Sequence, residues 1–357
     1  MKFKVALLAA SVAFSASAIA GDNDAQVNQS GLHNYADAFQ TGTANTLRMD
    51  QSNLLNDATS VQKGQHNKVK IDQNGFSGSA DVYQAGYANK SVTKQGGLHD
   101  DAKSVQKGQY NESKVTQHGM FDGVKADIYQ AGYANQSATV QSGVNNDIVS
   151  VQKGTYNESN VTQSVFNNDA NIYQAGYANK SDVEQGGGYS NDVVSVQKGT
   201  YNESEITQSS IKASADVYQA GYANKSSINQ YSYKNNADIV QKGEFNESRV
   251  AQHSKENMAD VFQAGYANDS SITQDRENHA TVVQKGTYNE SDILQDGMYD
   301  VADVFQAGHG NEATIRQSAH GFGSFMTNRA TVTQHGYGNS ATIHQSGGGN
   351  GATVYQY

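Results

Sequence analysis

Apolar and polar residues alternate with a period of two along short segments of this chain. In the segment "ADVYQ", Ala80, Val82 and Gln84 fall on one face. Asp81 and Tyr83 fall on the opposite face. A period of two predicts a β-strand with one buried face and one exposed face, and is incompatible with an amphipathic helix.

The alternating segments belong to a repeat anchored on glutamine. Each unit has a Gln, a Gly two residues later, an Asn five residues later and a second Gln eleven residues later. The spacing within a unit is constant, whereas the spacing between units varies, as expected when coils stack and loops project to one side. Fourteen units fit this rule, and they begin at Gln40, Gln62, Gln84, Gln106, Gln130, Gln152, Gln174, Gln197, Gln219, Gln241, Gln263, Gln284, Gln306 and Gln334.

Each unit predicts a strand, a turn that contains Gly and Asn, and a second strand. A lone hairpin of this size is marginal in water, so the units must stack on one another. The prediction is an all-β protein: a two-sheet β-solenoid of the cross-β type, with about 14 coils of ~22 residues and no cap at either end. Open sheet edges recruit further chains, which favours a filament.

The predicted functional residues are those that stack from coil to coil. An inward-facing amide must be satisfied, and an identical amide in the next coil can do this as a ladder. The residues singled out for this ladder are Gln84, Gly86, Asn89, Gln95, Gln106, Gly108, Asn111, Gln117, Gln130, Asn135, Gln141, Gln152, Asn157, Gln163, Gln334, Asn339 and Gln345.

The N-terminus reads as a secretory signal peptide. Lys2 and Lys4 precede an apolar run that ends in small residues, which predicts cleavage between Ala20 and Gly21. The expected organisation is a signal peptide at 1–20, a short segment at 21–28 and the repeat at 29–357. No transmembrane segment is expected, since the apolar run is too short to span a bilayer.

Composition narrows the possible functions. The chain has no Pro and no Cys, so a ladder N–H is present at every position and disulfides do not hold the fold together. The formal net charge is −10, and a basic surface for nucleic acid is missing.

Residues suited to catalysis do not converge. The ten His residues occupy unrelated repeat positions, and Asp and Glu recur at outward positions. We therefore expect no catalytic, metal or cofactor site and no enzyme activity. The irregular segment "SAHGFGSFMTNRA", at 318–330, contains no carboxylate and is interpreted as a loop.

The units alternate between two types, "QAGYAN" and "QKGxYNES". Lys90 should lie one coil from Glu112, and the same spacing relates Lys180 to Glu203 and Lys225 to Glu247. We hypothesise that these charges help to set the stacking register. The outward tyrosines at Tyr83, Tyr129, Tyr173 and Tyr218 leave two alternatives, cross-strand packing or an adhesive aromatic stripe.

From Gln29 to Tyr357 the units resemble the curlin repeat, the building block of curli, which are functional amyloid fibres of bacterial biofilms. The ending "NGATVYQY" is similar to the closing half repeat of the major curlin subunit. The resemblance implies a cross-β solenoid in which Gln84, Asn89 and Gln95 and their equivalents stack. It also implies Sec export, an outer-membrane secretion channel and a minor subunit that nucleates polymerisation.

By this resemblance the protein is expected to be a secreted fibre subunit at the surface of a Gram-negative bacterium, serving biofilm matrix, adhesion and aggregation. Its expected partners are further copies of itself, a nucleator subunit, the secretion channel and a periplasmic chaperone. The alternative within the family is the nucleator role. The alternative outside it is a monomeric β-solenoid, either an adhesin or an ice-binding protein.

Overall fold

The computed structural model describes residues 21–318 and 327–357, together with the backbone of residues 2–7 and 13–19. Ala20, at the predicted cleavage site, and residues 319–326 of the predicted loop lie outside the described residues. The chain divides into two units, Met1–Ala178 and Asn179–Tyr357.

The first unit contains the strands β1 (Lys2–Leu7), β2 (Ala13–Ile19), β3 (Asp24–Gln29), β4 (Tyr35–Thr43), β5 (Thr46–Gln51), β6 (Asp57–Gln65), β7 (Lys68–Gln73), β8 (Ser79–Tyr87), β9 (Lys90–Gln95), β10 (Asp101–Gln109), β11 (Glu112–Gly119), β12 (Lys125–Tyr133), β13 (Gln136–Gly143), β14 (Asp147–Thr155), β15 (Glu158–Gln163) and β16 (Asp169–Tyr177).

The second unit contains the strands β17 (Lys180–Gln185), β18 (Asp192–Thr200), β19 (Glu203–Ile211), β20 (Ser214–Tyr222), β21 (Lys225–Tyr233), β22 (Asn236–Glu244), β23 (Glu247–Gln252), β24 (Met258–Tyr266), β25 (Asp269–Arg276), β26 (His279–Thr287), β27 (Glu290–Met298), β28 (Val301–His309), β29 (Glu312–Ser318), β30 (Arg329–Tyr337), β31 (Ser340–Ser346) and β32 (Gly351–Gln356).

Odd-numbered and even-numbered strands form separate parallel sheets in each unit, here called the odd sheet and the even sheet. Each strand therefore pairs with the strand two places along the chain, as β10 does with β8 and β12. The pairing places repeat position on repeat position, so that Gln106 lies opposite Gln84 on one side and Gln130 on the other. Each unit is thus a two-sheet β-solenoid, and the fold class predicted from the sequence is confirmed.

The core of each unit is a thin layer between its two sheets. Small apolar residues such as Ala80 and Ala215 enter it from the even sheet, and they are fully buried. Branched residues such as Ile71 and Ile228 enter it from the odd sheet and are also fully buried. The alternation of buried and exposed positions along every described strand between β3 and β31 produces this layer.

Two kinds of turn join the sheets. From β4 to β30, the repeat's Gly is the second-last residue of each even strand, and the repeat's Asn lies in the turn that follows. This connection, from the Gly to the Asn, is called the glycine turn. The turn that follows each odd strand is called the variable turn. Gly221 in one glycine turn has φ +127°, and a Cβ there would lie 2.0 Å from the carbonyl oxygen of Gly243. Only glycine therefore lets successive coils approach each other at this point.

Candidate functional site

A ladder of buried glutamine amides runs through the even sheet of the first unit. Gln84 Nε2 donates to Gln106 Oε1 at 2.7 Å, and Gln106 Nε2 donates to Gln130 Oε1 at 2.8 Å. The next bonds, from Gln130 to Gln152 and from Gln152 to Gln174, measure 2.8 and 2.9 Å. All of these side chains are fully buried, so each amide depends on its neighbours for its hydrogen bonds.

A second glutamine ladder runs through the odd sheet. Gln95 Nε2 donates to Gln117 Oε1 at 2.9 Å, Gln117 to Gln141 at 3.0 Å and Gln141 to Gln163 at 3.0 Å. The second unit has an equivalent ladder in its odd sheet, where Gln345 accepts from Gln317 at 2.8 Å. The donor again belongs to the coil that comes earlier in the chain.

The glutamines also bind the two sheets to each other. Gln106 Nε2 lies 2.9 Å from the carbonyl oxygen of Lys90, which is on the odd sheet, and 3.0 Å from the carbonyl oxygen of Asn111 in its own glycine turn. Gln117 Nε2 reaches from the odd sheet to the carbonyl oxygen of Asp101 at 2.7 Å. One amide therefore connects neighbouring coils and opposite sheets.

An asparagine ladder lines the glycine turns and points the other way. Asn111 Nδ2 donates to Asn89 Oδ1 at 3.0 Å, and the Asn111 backbone N–H donates to the same oxygen at 3.1 Å. Asn135 and Asn157 repeat both contacts with the preceding asparagine. Here the donor belongs to the later coil, the reverse of the glutamine ladders.

The asparagine ladder also contacts the turn glycines. Asn89 Nδ2 donates to the carbonyl oxygen of Gly108 at 2.9 Å, and Gly86 accepts in the same way from Asn67 at 3.1 Å. In the second unit, Asn339 N–H donates to Asn311 Oδ1 at 3.2 Å. Gln334 accepts from Gln306 at 2.9 Å.

The variable turns contain an asparagine column that the repeat spacing did not predict. Its members include Asn34 and Asn56 in the first unit, where Asn56 N–H donates to Asn34 Oδ1 at 3.0 Å. Asp100 takes the asparagine position in one coil and accepts from the backbone N–H groups of Gly97 and Gly119 at 2.9 and 2.8 Å. Burial raises the pKa of the Asp100 carboxyl. The signal was an Asn five residues after the second Gln, which the variable turn lengths obscure.

Together the ladders give every coil two different faces. The face toward the C-terminus presents Gln Nε2 donors and Asn Oδ1 acceptors. The face toward the N-terminus presents Gln Oε1 acceptors and Asn N–H donors. Two like faces would therefore place donor against donor and acceptor against acceptor, and each unpaired buried amide costs about 1–3 kcal/mol.

The alternation of unit types places a lysine over an aromatic ring. In the first unit Lys107 Nζ lies 5.8 Å from the ring centroid of Tyr129, and in the second unit Lys198 lies 5.5 Å from that of Tyr218. The lysine of a "QKG" coil reaches the ring of the following "QAG" coil. The same contact joins Lys63 to Tyr83, Lys153 to Tyr173, Lys242 to Phe262 and Lys285 to Phe305. Such cation–π contacts are worth about 0.5–1 kcal/mol at exposed sites.

The predicted lysine–glutamate contacts are formed in part. Lys90 Nζ lies 2.6 Å from Glu112 Oε1, and Lys180 lies 3.9 Å from Glu203. Lys225 lies opposite Glu247 in the strand pairing, but its ion pair is with Glu203 on the preceding coil, at 3.6 Å. These side chains are about half exposed, so each pair contributes about 0–1 kcal/mol.

A column of carboxylates runs along the even sheet of the second unit. Asp238 lies opposite Asp216 on one neighbouring strand and opposite Asp260 on the other. Partial burial raises the pKa of Asp238, and the neighbouring carboxylates of Asp216 and Asp260 raise it further. Burial and Asp192 raise the pKa of Asp216.

The described residues offer little for other chemistry. Within 21–318 and 327–357, no group of three or more His, Asp or Glu side chains is arranged to hold a metal ion. The same part of the chain has no helix that is long and apolar enough to cross a membrane. The chemically distinctive feature of these residues is the set of polar ladders.

The fold and its ladders define a parallel β-solenoid repeat protein. The family model of the curlin associated repeat matches residues 328–357. The match supports a curlin-repeat assignment and confirms, over these residues, the resemblance found in the sequence. A search of curated proteins found no match.

The glutamine ladder can be tested with two substitutions in one coil. Gln130→Ala leaves Gln106 Nε2 without its glutamine acceptor and Gln152 Oε1 without its donor, so we expect the free energy of unfolding to fall by about 2 kcal/mol or more. Gln136→Ala, at an exposed position of β13, should change it by less than about 0.5 kcal/mol. Urea unfolding followed by circular dichroism measures both. Equal losses would contradict a role for the buried amide.

The carboxylate column predicts a pH dependence of stability. An Asp whose pKa is higher in the folded state than its unfolded value of about 3.9 destabilises the fold when ionised. This penalty is full at neutral pH and disappears as the pH falls through the raised pKa toward the unfolded value. Asp238→Asn should therefore raise the melting temperature at pH 7 and leave it unchanged in acid.

Asp292→Asn is the matched control for this measurement. Asp292 faces Ser271 and Thr314 on the neighbouring strands and has no carboxylate opposite it there. Its substitution should change the melting temperature little between acid and neutral pH. If both variants give the same pH profile, repulsion along the column does not affect stability.

Proposed function

We propose that this protein is a secreted structural subunit that assembles into extracellular curli-like amyloid fibres by head-to-tail stacking of its coils. The observation that carries the proposal is the polarity of the ladders. Each coil presents donors on one face where the next coil presents acceptors, and the same residue types recur in coil after coil. A coil at one end of the solenoid can therefore bind a coil of a second copy through the same bonds that join neighbouring coils within one chain.

This polarity favours a heterologous contact between copies. Stacking of unlike faces continues the Gln-to-Gln and Asn-to-Asn bonds, whereas stacking of like faces leaves buried amides unpaired. A heterologous contact that does not close into a ring produces a filament. The amide ladders thereby favour one direction of addition.

Two described positions favour such addition. Gln40 Oε1 is buried and has no hydrogen-bond partner, because β2 places Ala18 opposite it where other coils have a glutamine. Removal of residues 1–20 by the proposed cleavage would free this position of β4 for a second copy. In β32, Ala352, Val354 and Gln356 are only partly buried, whereas the equivalent residues of earlier coils are buried. In the proposed fibre, Gln356 Nε2 of one copy donates to Gln40 Oε1 of the next.

The proposed export route and partners rest on the resemblance to curlin-repeat subunits. A curlin-repeat subunit is expected to reach the cell surface through the periplasm, to pass an outer-membrane channel and to meet a nucleator subunit there. We assign to the fibre a role in biofilm matrix, adhesion and aggregation.

Seeded assembly tests the proposal. Residues 21–357 are diluted from denaturant, and thioflavin fluorescence is followed with and without preformed fibre. The proposal predicts a lag that seeds abolish and a product whose diffraction shows reflections near ~4.7 and ~10 Å. A stable, soluble, β-rich monomer would contradict it and favour a solenoid adhesin or ice-binding protein.

Two substitutions in β32 test the direction of stacking. Val354 faces inward and lies opposite Val332, so Val354→Lys places a charge in the layer that a second copy would cover. Thr353→Lys places the same charge on the outer face of the same strand. Seeded elongation should slow at least tenfold with Val354→Lys and stay near the unsubstituted rate with Thr353→Lys. Equal rates would exclude β32 from the growing contact.

A further inference from the structure

A column of aromatic rings follows the glycine turns, and neither the stacking ladders nor the proposed assembly uses it. In the first unit it contains His66, Tyr87, Tyr110, Tyr133, Tyr156 and Tyr177. Successive rings are T-shaped, with centroids 5.3 to 5.7 Å apart. Tyr110, Tyr133, Tyr156 and Tyr177 are 39 to 50% exposed, so solvent reaches the whole edge.

The two unit types build this column together. Tyr87 and Tyr133 stand three residues after their Gln, whereas Tyr110 and Tyr156 stand four residues after theirs. The rings therefore alternate in backbone position from coil to coil, which gives the T-shaped contacts. Tyr110 and Tyr156 both have φ 57°, a left-handed conformation that is unusual for a bulky residue. The same strain recurs in the second unit at Tyr201 and Tyr288.

The phenols of the column are close enough to interact. Burial and the neighbouring Tyr87 raise the pKa of the Tyr110 phenol. The neighbouring Tyr133, followed by burial, raises the pKa of the Tyr156 phenol. From Tyr87 to Tyr177, successive ring centroids lie 5.4 to 5.7 Å apart.

We propose that this column is a site of oxidative dityrosine cross-linking between neighbouring coils. A one-electron oxidant, such as a haem peroxidase supplied with hydrogen peroxide, removes one electron and one proton from each of two adjacent phenols. The two phenoxyl radicals form one carbon–carbon bond between ring positions ortho to oxygen. The two ring C–H protons then move to the oxygens, which restores both phenols.

The reaction is balanced by the oxidant. Two electrons and two protons leave the tyrosine pair, and they reduce one hydrogen peroxide to two water molecules. Each product bond joins two coils covalently, as a disulfide would in a chain that has Cys, whereas this chain has none. The consequence is a solenoid whose coils cannot separate on unfolding.

A second set of tyrosines in the same chain serves as an internal control. Tyr83, Tyr129 and Tyr173 lie on the even sheet, but Val105 and Val151 stand between them in the strand pairing. Successive members are two coils apart, roughly 9.6 Å at the usual strand spacing, and too distant to couple. Lysine side chains also cover these rings.

The second unit contains a natural interruption. Phe245 lies between Tyr222 and Tyr266, at centroid distances of 5.3 and 5.4 Å. Phenylalanine has no phenol and cannot form the phenoxyl radical. Phe245 therefore separates two adjacent tyrosine pairs of the column, Tyr201 with Tyr222 and Tyr266 with Tyr288, whose centroids are 5.7 and 5.4 Å apart.

The test treats the full chain with a haem peroxidase and hydrogen peroxide, measures dityrosine fluorescence and maps linked peptides by mass spectrometry. The expected links are 87–110, 110–133, 133–156, 156–177, 201–222 and 266–288. Tyr110→Phe with Tyr156→Phe should remove all four links of the first unit and keep both links of the second. The control pair Tyr129→Phe with Tyr173→Phe should leave the pattern unchanged.

A gain-of-function variant keeps the test independent of any loss of folding. Phe245→Tyr should add the links 222–245 and 245–266, which the unsubstituted chain cannot form. A mixture of 15N-labelled and unlabelled chains should give linked peptides that are wholly heavy or wholly light, because coupling is within one chain. Mixed pairs as the main product, or an unchanged pattern in Phe245→Tyr, would overturn the proposal. Neither result depends on whether the chain forms fibres.

Discussion

The structure depends on a single requirement, that each buried glutamine amide find its partner in the coil before and the coil after it. An amide in the thin core cannot reach water, so the next coil must present the same residue at the same height. Gln84, Gln106 and Gln130 meet this requirement through bonds of 2.7 and 2.8 Å. The side-chain hydrogen bonds therefore fix the register of neighbouring strands, in addition to the backbone hydrogen bonds of the sheet.

The requirement also explains why the ladders have a direction. A carboxamide has a donor end and an acceptor end, so a stack of them is polar from one coil to the next. The asparagine ladder is polar in the opposite sense because Asn89 accepts from Asn111. A second copy placed on either face meets both polarities at once, and one orientation satisfies both. The aromatic and cationic contacts on the outside have no such constraint, which leaves them free to alternate between the two unit types.

The repeat spacing was sufficient to predict the two-sheet solenoid, because a constant spacing of eleven between glutamines admits one register of stacked strands. The columns that contain Gln84, Asn89 and Gln95 follow from that spacing. The asparagine column of the variable turns was missed because its distance from the preceding Gln changes, from five residues at Asn56 to six at Asn191. Residues of one column stack in space, but insertions in the turns change the number of residues between them. A search for one fixed spacing therefore does not find the column.

Contacts between different repeat positions of neighbouring coils also could not be predicted from the sequence. Lys107 contacts the ring of Tyr129, which lies on the following coil at a different repeat position. Tyr87 and Tyr110 contact each other although they occupy different positions in their repeats. An alignment of the repeats on Gln therefore places them in different columns. Both contacts depend on how side chains lean across neighbouring strands, which the three-dimensional structure supplies.

The most direct measurement is a cryo-EM reconstruction of the proposed fibre at a resolution that shows side chains across the junction between two molecules. A continuous ladder predicts that Gln356 of one molecule lies over Gln40 of the next at the same spacing and in the same register as Gln84 over Gln106. The strands should stay parallel through the junction. A junction of like faces, or one in which the molecules meet side by side without pairing β32 with β4, would contradict the polar ladder as the basis of assembly.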